Sequence, residues 1–386
     1  MGVANVVRTV LRDYCSRRSV SISSCRFSHY RCSSDDPSAF NIRNEGQFYT
    51  VGKESIDHLN LTKNLPKFYR RQLDTFGECE WMVRRPLLDA VSCMKKLAPG
   101  QFSPRFVLFG RFGTGKSTAL LQILHYAYTT RQYVLVYAKP IVFTRPQRQL
   151  SLSHLTPGYV DTPSESADWL VEFKLNNSLM IDTLTSVTTS KDYIWSEEDR
   201  TPKGTDLIEL IDFGIQRAKH ATDVVGALFE QLKLAAGQGR LQLLVALDHA
   251  NSLFHVTRIK KQDKNYLYSS QVAMCLYLKS LLEHNCVNGI SFLVADEAEF
   301  SKVKESTPYS YLPYNLLGLT GFELLDPFVP VELSDYNHRE LNGCLDFYFN
   351  KDWICSPEAH TQEGRANIGI LGARNPHATE RLIASL

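Results

Sequence analysis

Residues 110–117 read Gly-Arg-Phe-Gly-Thr-Gly-Lys-Ser, which fits the phosphate-binding pattern G-x-x-x-x-G-K-[ST] at every fixed position. Glycine lets the backbone pass close to a phosphate and turn its N–H groups toward the oxygens. An apolar stretch at 105–110 precedes the pattern, and an amphipathic helical pattern from Lys116 to Thr130 follows it. This strand–loop–helix context predicts a P-loop, a nucleotide-binding loop at the end of a buried strand.

Every residue from 110 to 118 is a candidate for nucleotide binding. We expect Lys116 to reach the β- and γ-phosphates, the Ser117 hydroxyl to ligate Mg²⁺, and Thr118 to lie near the α-phosphate. The alternative is a glycine-rich turn with a solvent-exposed lysine. The candidate residues are Gly110, Arg111, Phe112, Gly113, Thr114, Gly115, Lys116, Ser117 and Thr118.

A P-loop needs an acidic residue at the end of a neighbouring strand to orient Mg²⁺. Residues 243–248 read Leu-Leu-Val-Ala-Leu-Asp, and a carboxylate that ends an apolar run is costly to bury without a partner. We therefore predict that Asp248 and Ser117 form the Mg²⁺ site, directly or through water. The alternative is an aspartate that caps the next turn.

The sequence does not identify a catalytic group. His249 follows Asp248, where hydrolysing ATPases of the additional-strand class carry a glutamate that activates water. The residues from Asp248 to Asn251 (Asp-His-Ala-Asn) do not form the D-x-x-G motif of GTPases, and no N/T-K-x-D guanine motif occurs, so guanine and adenine nucleotides both stay open. Asn251, Asp296 and Glu297 are candidate second-sphere groups, with a surface role as the alternative for Glu297. The catalytic residues stay unassigned, and hydrolysis is expected to be slow at best.

The charge of the chain is uneven. Six of the 43 basic residues but only one of the 41 acidic residues lie at positions 1–34, so the rest of the chain is slightly acidic. An arginine-rich amphipathic pattern with few acids is typical of a mitochondrial transit peptide, and a disordered basic tail is the alternative. The acidic remainder argues against a globally basic nucleic-acid binder. No apolar run reaches the roughly 18 residues of a membrane span.

Apolar strand patterns alternate with helical patterns after residue 99. This alternation predicts an α/β fold, with a parallel sheet covered by helices on both faces. A helical pattern extends over 206–235, and a Pro/Ser-rich loop is predicted over 145–166. The predicted strands are residues 105–110, 133–138, 241–247, 290–295 and 328–333.

These patterns divide the chain into four segments. A transit peptide (1–34) and an N-terminal extension (35–98) precede a P-loop NTPase-like core (99–335), and a helical C-terminal region (336–386) ends the chain. The boundary before the core is placed at a Pro-Gly pair, which is a strong turn signal.

Two segments combine basic and aromatic residues. They are residues 63–71 in the extension and residues 258–268 after Asp248. Basic side chains interleaved with aromatic ones suit contact with a phosphate backbone. A solvated surface is the alternative for both segments.

Several segments together resemble the death-associated protein 3 family of the mitochondrial small ribosomal subunit. The resemblance extends in order over about residues 45–386, which makes it more specific than any single motif. The matching segments are residues 110–118, 221–226 (Ala-Thr-Asp-Val-Val-Gly), 243–253, 325–330 (Leu-Asp-Pro-Phe-Val-Pro), 334–337 (Ser-Asp-Tyr-Asn) and Asn375-Pro376.

The resemblance implies a fold, a ligand and partners. The fold is the additional-strand (AAA-like) class of P-loop NTPases, with an expected sheet order of 5-1-4-3-2 and nucleotide at the carboxyl edge of the strands. The implied protein binds GTP or GDP with Mg²⁺ in the head of the mitochondrial small ribosomal subunit. Its partners are rRNA, small-subunit proteins and, through bridges, the large subunit. His249 departs from the family, where glycine is more typical, and crowds the predicted Mg²⁺ site.

Three functional hypotheses follow. The leading one is a structural component of the ribosome in the mitochondrial matrix, whose fold is held by bound nucleotide and which supports mitochondrial translation. The rival is an active matrix NTPase or molecular switch that acts off the ribosome. The third is an apoptotic adaptor, since the family is also linked to apoptosis. The missing glutamate after Asp248 and the missing GTPase motifs favour the first.

Overall fold

The computed structural model describes residues 30–97, 100–154, 156–260, 264–297 and 311–384. The predicted transit peptide lies outside the described residues except for residues 30–34. In chain order the strands are β1 (Phe48–Val51), β2 (Cys79–Met82), β3 (Arg105–Phe109), β4 (Val134–Ala138), β5 (Ser151–Leu152), β6 (Val160–Asp161), β7 (Tyr193–Ile194), β8 (Arg200–Thr201), β9 (Leu243–Leu247), β10 (Val256–Lys260), β11 (Tyr266–Tyr268), β12 (Gly289–Val294) and β13 (Val329–Glu332).

Helices surround these strands and also form most of the C-terminal region. In chain order they are α1 (Lys53–His58), α2 (Leu61–Asn64), α3 (Lys67–Phe76), α4 (Arg85–Lys96), α5 (Lys116–Thr130), α6 (Ile141–Thr144), α7 (Pro163–Asn176), α8 (Ile181–Ser186), α9 (Leu207–Gln216), α10 (Ala221–Gly237), α11 (Ala273–Ser280), α12 (Pro313–Leu325), α13 (His338–Asn350), α14 (Gln362–Leu371) and α15 (Pro376–Ile383).

A five-stranded sheet lies at the centre, in the order β13-β3-β12-β9-β4. All of its neighbouring strands are parallel. Numbered along the chain, these strands give the order 5-1-4-3-2, which confirms the predicted order. Because parallel strands end at the same edge, the residues that follow β3, β9 and β12 meet there.

Both faces of the sheet are covered by apolar packing. Successive residues of a strand point to opposite faces. In β9, the side chains of Leu243, Val245 and Leu247 join one core, and those of Leu244 and Ala246 join the other. Helices α7, α9, α10 and α11 contribute to the first core, and α4 and α5 to the second. The strands therefore read as continuous apolar runs rather than as alternating ones.

The N-terminal extension packs against the second core. Strands β1 and β2 pair antiparallel, and Tyr49 and Trp81 are fully buried. The His125 ring of α5 stacks on Tyr49 with centroids 5.9 Å apart. The C-terminal region attaches to the same strands, because Phe347 of α13 stacks on Phe48 at 4.2 Å. The boundaries of the four predicted segments stay a prediction.

The structure departs from the expected elements in two places. The helix predicted over 206–235 is wrong as a single element, because α9 and α10 are separated by a 3₁₀ turn, Ala218–His220. The two helices pack tightly, since a Cβ on Gly214 would lie 2.7 Å from a methyl of Val224. The loop over 145–166 contains the short pair β5–β6. No helix among the described residues is long and apolar enough to span a membrane.

Candidate nucleotide-binding site

The loop between β3 and α5 requires its glycines. Gly110, Gly113 and Gly115 have φ values of 147°, 85° and 91°, in the region that favours glycine. A Cβ on Gly110 would lie 2.4 Å from the Leu333 carbonyl oxygen, and one on Gly113 would lie 2.6 Å from Asn375 Oδ1. Helix α5 begins without a side-chain cap. Its first N–H groups are therefore left for an anion, as at other helix N-termini.

Lys116 is a buried cation at the start of α5. Its side chain is 3% exposed and its Nζ lies 3.8 Å from Asp296 Oδ2. The ammonium donates to the carbonyl oxygens of Gly110 at 3.0 Å and Arg111 at 2.9 Å. Burial lowers the pKa of Lys116, while nearby carboxylates, Asp296 first, oppose that shift. The alternative of a solvent-exposed lysine is thus wrong, and an anion here would gain a charge-assisted hydrogen bond.

Ser117 and Asp248 meet at the sheet edge. The Ser117 hydroxyl donates to Asp248 Oδ1 at 2.9 Å, and Asp248 is 3% exposed. Hydroxyl and carboxylate oxygens are ligands that suit Mg²⁺, which takes one or two protein carboxylates together with water and phosphate oxygens. In the described part of the chain no group of three or more His, Cys, Asp or Glu side chains could hold a metal. The pair therefore fits a metal shared with a phosphate, not a metal held by protein alone.

His249 has an unusual backbone. Its φ of 57° lies in the left-handed region, which explains why glycine suits this position better. A non-glycine residue held there costs of order 1 kcal/mol. The imidazole Nε2 lies 4.0 Å from Asp248 Oδ2, and the crowding of the predicted Mg²⁺ site by His249 stays a prediction.

The second-sphere candidates contact the same edge. Asn251 Nδ2 donates to the Asp296 carbonyl at 2.9 Å, and the Asp296 N–H donates to Asn251 Oδ1 at 3.1 Å. This reciprocal pair fixes Asp296 beside Lys116. Glu297 Oε2 accepts from the Phe112 N–H at 3.2 Å. Glu297 therefore contacts the loop from a half-buried position.

A cavity of about 260 Å³ opens above the loop. The N-terminal end of α3 and the N-terminal end of α15 form its walls. His377 N–H donates to the Gly113 carbonyl at 3.1 Å, and the Phe112 and His377 rings meet edge to face at 5.6 Å. The lining residues are Pro66, Lys67, Phe68, Tyr69, Phe112, Gly113, Gly115, Lys116, Ser117, Thr118, Asp296, Pro376, His377 and Glu380.

Arg84 ties the loop to the two terminal regions. Its Nη1 donates to the Thr114 carbonyl at 2.6 Å, and its Nη2 to the Ser334 carbonyl at 2.9 Å. Its Nε donates to Glu340 Oε1 at 2.9 Å. The guanidinium also lies over the Tyr336 ring, 5.1 Å from the centroid. Arg84 therefore connects the loop, through the Thr114 carbonyl, to the residues before and within α13.

Comparison with known proteins identifies the family. Residues 81–382 match the model of the family described as mitochondrial ribosomal death-associated protein 3. The chain belongs to this family. It is 31% identical over 353 residues to the small ribosomal subunit protein mS29 of Bos taurus, covering 91% of this chain and 87% of that protein. It is 31% identical over 356 residues to the protein of the same name from Mus musculus, covering 92% and 89% of the two chains.

The family recognised from the sequence is therefore confirmed, as is the mitochondrial localisation that it implies. The region matched to the death-associated protein 3 family begins at residue 81 and ends at residue 382. It contains the loop, Asp248, Arg84 and the α15 wall of the cavity.

The sequence predicted the loop and Asp248 but not the residues at the N-terminal ends of α3 and α15 that line the cavity. Residues 110–118 and Asp248 were predicted and lie together. Arg111 is the outlier, because its side chain is 68% exposed and lies 3.9 Å from Asp335. The basic-aromatic segment 63–71 was interpreted as a surface patch, whereas residues 66–69 line the cavity. The Asn375-Pro376 pair was the available signal for α15, since Asn375 caps that helix.

The stability of the fold should depend on pH through Glu380, a residue that lines the cavity. Burial raises the pKa of its carboxyl to about 8, against hydrogen bonds from Tyr348 and Tyr69 that lower it. The folded pKa lies above the ordinary value of 4.5, so the protonated form stabilises the fold. That stability is complete below pH 4.5 and is lost as pH rises to about 8.

Glu380→Gln should therefore flatten the fall in stability between pH 5 and 8 by up to about 1.4 kcal/mol per pH unit. Melting temperature measured at several pH values checks this. Glu363→Gln, an exposed carboxyl on α14, is the control and should leave the curve as in wild type. Parallel curves for wild type and Glu380→Gln would show that Glu380 is ionised throughout.

Proposed function

We propose that this chain is a component of the small subunit of the mitochondrial ribosome that holds a guanine nucleotide and Mg²⁺ at residues 110–118 and Asp248. The observation that carries the proposal is the buried Lys116 beside the Ser117–Asp248 pair, at the carboxyl edge of a sheet of order 5-1-4-3-2. This arrangement supports the proposal that the chain is of the additional-strand class of P-loop NTPases. The names of its relatives are the ground for assigning it to the small ribosomal subunit. The family resemblance is the ground for a guanine nucleotide.

The chain's own residues have distinct parts in this function. Residues 110–115 and the start of α5 present N–H groups to phosphate, and Lys116 adds a positive charge within that cradle. Ser117 and Asp248 offer oxygens to the cation. Mg²⁺, when bound, would neutralise phosphate charge. Residues of α3 and α15 exclude water from the rest of the nucleotide.

Bound nucleotide should couple the two terminal regions to the core. The extension enters the cavity through residues 66–69 and the C-terminal region through Pro376, His377 and Glu380. A ligand that contacts both walls stabilises all three parts together. We propose on this basis that nucleotide serves as a structural element. Location in the head, bridges to the large subunit and an apoptotic link are proposed from the family resemblance. The matrix-targeting role of residues 1–34 is proposed from their composition.

Turnover of GTP by the purified protein should be slow. Hydrolysis needs a group that holds or deprotonates the attacking water, and His249 is turned beside the Asp248 carboxylate, 4.0 Å away. An arginine finger, worth roughly 10³–10⁵ in rate, is not assigned. Single-turnover release of phosphate is the measurement. A rate on the order of 1 s⁻¹, typical of working phosphoryl-transfer enzymes, would favour the rival NTPase.

The position of Asp296 is the observation that favours an active NTPase. Asp296 lines the cavity, and its Oδ2 lies 3.8 Å from Lys116 Nζ. If turnover is fast, Asp296→Asn should abolish it. Glu297→Gln is the comparison, since Glu297 contacts the loop backbone. If turnover is slow in the wild type, neither substitution should change the rate.

Sedimentation tests the ribosomal assignment. Tagged full-length chain expressed in mitochondria should travel with the small subunit in a sucrose gradient. Lys116→Ala should lower the fraction that sediments with the subunit, because the nucleotide-free protein is less stable. Wild-type protein found only at the top of the gradient would refute the assignment and favour a free adaptor.

A further inference from the structure

A β-hairpin outside the central sheet exposes one whole face. Strands β10 and β11 pair only with each other, with Val256 opposite Tyr268 and Lys260 opposite Tyr266. Burial alternates along both strands. Thr257, Ile259 and Leu267 are buried and anchor the hairpin to the body. The alternate residues therefore form an outer, exposed face.

The chemistry of this outer face is basic and aromatic. Tyr266 is 48% exposed and Tyr268 is 59% exposed. Arg258 is also exposed, in the irregular part of β10 between the two cross-strand pairs. Lys260 Nζ lies 5.8 Å from the centroid of the Tyr266 ring. No acidic residue occurs at positions 256–260 or 264–268, so the described part of the hairpin has one sign of charge.

Two exposed tyrosines beside basic side chains fit one kind of ligand. Aromatic rings stack on unpaired bases whatever the base, since every base has a π-face. Lysine and arginine neutralise phosphates. The Cα atoms of Tyr266 and Tyr268 are about 7 Å apart along the strand. This spacing leaves room for a base between the two rings. A duplex offers no free base face for such stacking.

We propose that the outer face of the β10–β11 hairpin binds an unpaired segment of RNA, with Tyr266 and Tyr268 stacking on bases and Arg258 and Lys260 contacting phosphates. This proposal rests on the proposed ribosomal function for the source of the RNA, but not for the chemistry of the face. It also accounts for the basic-aromatic segment at residues 258–268, whose described residues do not line the nucleotide cavity.

The affinity of the full chain for a labelled oligouridylate tests the proposal, with a duplex of equal length as the comparison. The wild type should bind the single strand more tightly. Tyr266→Ala with Tyr268→Ala should weaken binding at least about tenfold, whereas the two Phe substitutions should retain it because they keep the stacking face. Tyr314→Ala with Lys203→Ala is the matched control and should bind as wild type, because the two side chains are exposed on α12 and in the turn after β8.

The salt dependence of RNA affinity measures the contribution of the basic side chains. Arg258→Ala with Lys260→Ala should reduce the slope of log affinity against log salt by about 0.7 for each lost phosphate contact. The melting temperature of this variant is measured alongside, and a lost affinity is assigned to the face when the melting temperature stays within a few degrees of wild type.

The outcomes are distinguishable from a failure of the ribosomal assignment. Equal RNA affinity in wild type and the Tyr→Ala variant overturns the proposal, as does a wild type that does not bind the oligonucleotide at low salt. If that variant binds RNA as wild type but no longer sediments with the small subunit, the face contacts a protein instead. Wild-type chain that binds RNA without joining the subunit refutes only the proposed function.

Discussion

Lys116→Ala should abolish the rise in melting temperature that Mg²⁺ and GTP give the wild type. A ligand that binds only the folded state stabilises it by about 2.7 kcal/mol at a hundredfold excess over its dissociation constant. Lys116 lies within the loop, with its ammonium donating to the carbonyls of Gly110 and Arg111. Without it, phosphate loses a charge-assisted contact in a buried setting.

The nucleotide-induced shift, and not the absolute melting temperature, is the quantity to compare. Removing Lys116 also relieves a buried charge, so the nucleotide-free variant can melt near the wild type. Lys233→Ala is the control, because Lys233 donates to the Ser280 carbonyl at 2.8 Å and Glu283 at 3.0 Å in a different part of the fold. It should retain the full shift. An equal shift in the Lys116 variant would contradict the assignment of the loop.

Arg84→Met should destabilise the protein by about 3–5 kcal/mol, because it leaves the buried carboxylate of Glu340 without its cation. The two side chains are 11% and 4% exposed. Loss of the hydrogen bond to the Thr114 carbonyl should also loosen the loop and weaken nucleotide binding. Chemical denaturation followed by nucleotide titration measures both effects.

The neighbouring residue supplies a matched control for Arg84. Arg85 pairs with Asp89 at 2.9 Å, but the two side chains are 59% and 56% exposed. Arg85→Met should therefore change stability by less than about 1 kcal/mol. Arg84→Met combined with Glu340→Met should recover part of the loss, since no buried charge then remains unpaired. Equal losses of unfolding free energy for Arg84→Met and Arg85→Met would show that the Arg84 contacts stabilise the fold no more than an exposed ion pair does.

The sequence predicted the parts of this protein that depend on local pattern. Strands β3, β9 and β12 are buried on both faces and read as apolar runs, and a glycine loop followed by Lys116 can be recognised without its partners. The positions of Asp248 and Asp296 then followed from the rule that parallel strands end at one edge.

The parts that were missed depend on contacts between distant segments. Strands β1 and β2 are four residues long each, too short for a clear period, and they pair across the intervening helices. Arg84 is an ordinary arginine in sequence, and its role arises because Thr114, Ser334 and Glu340 converge on it. The α15 wall is likewise placed against the loop by tertiary packing.

The most direct test of the central claim is a calorimetric titration of the full-length protein with GDP in the presence of Mg²⁺. We predict about one nucleotide bound per chain, a weaker affinity when Mg²⁺ is chelated, and loss of binding in Lys116→Ala with Lys233→Ala unchanged. Absence of binding in the wild type, or the same affinity in wild type and Lys116→Ala, would contradict a nucleotide site at residues 110–118 and Asp248.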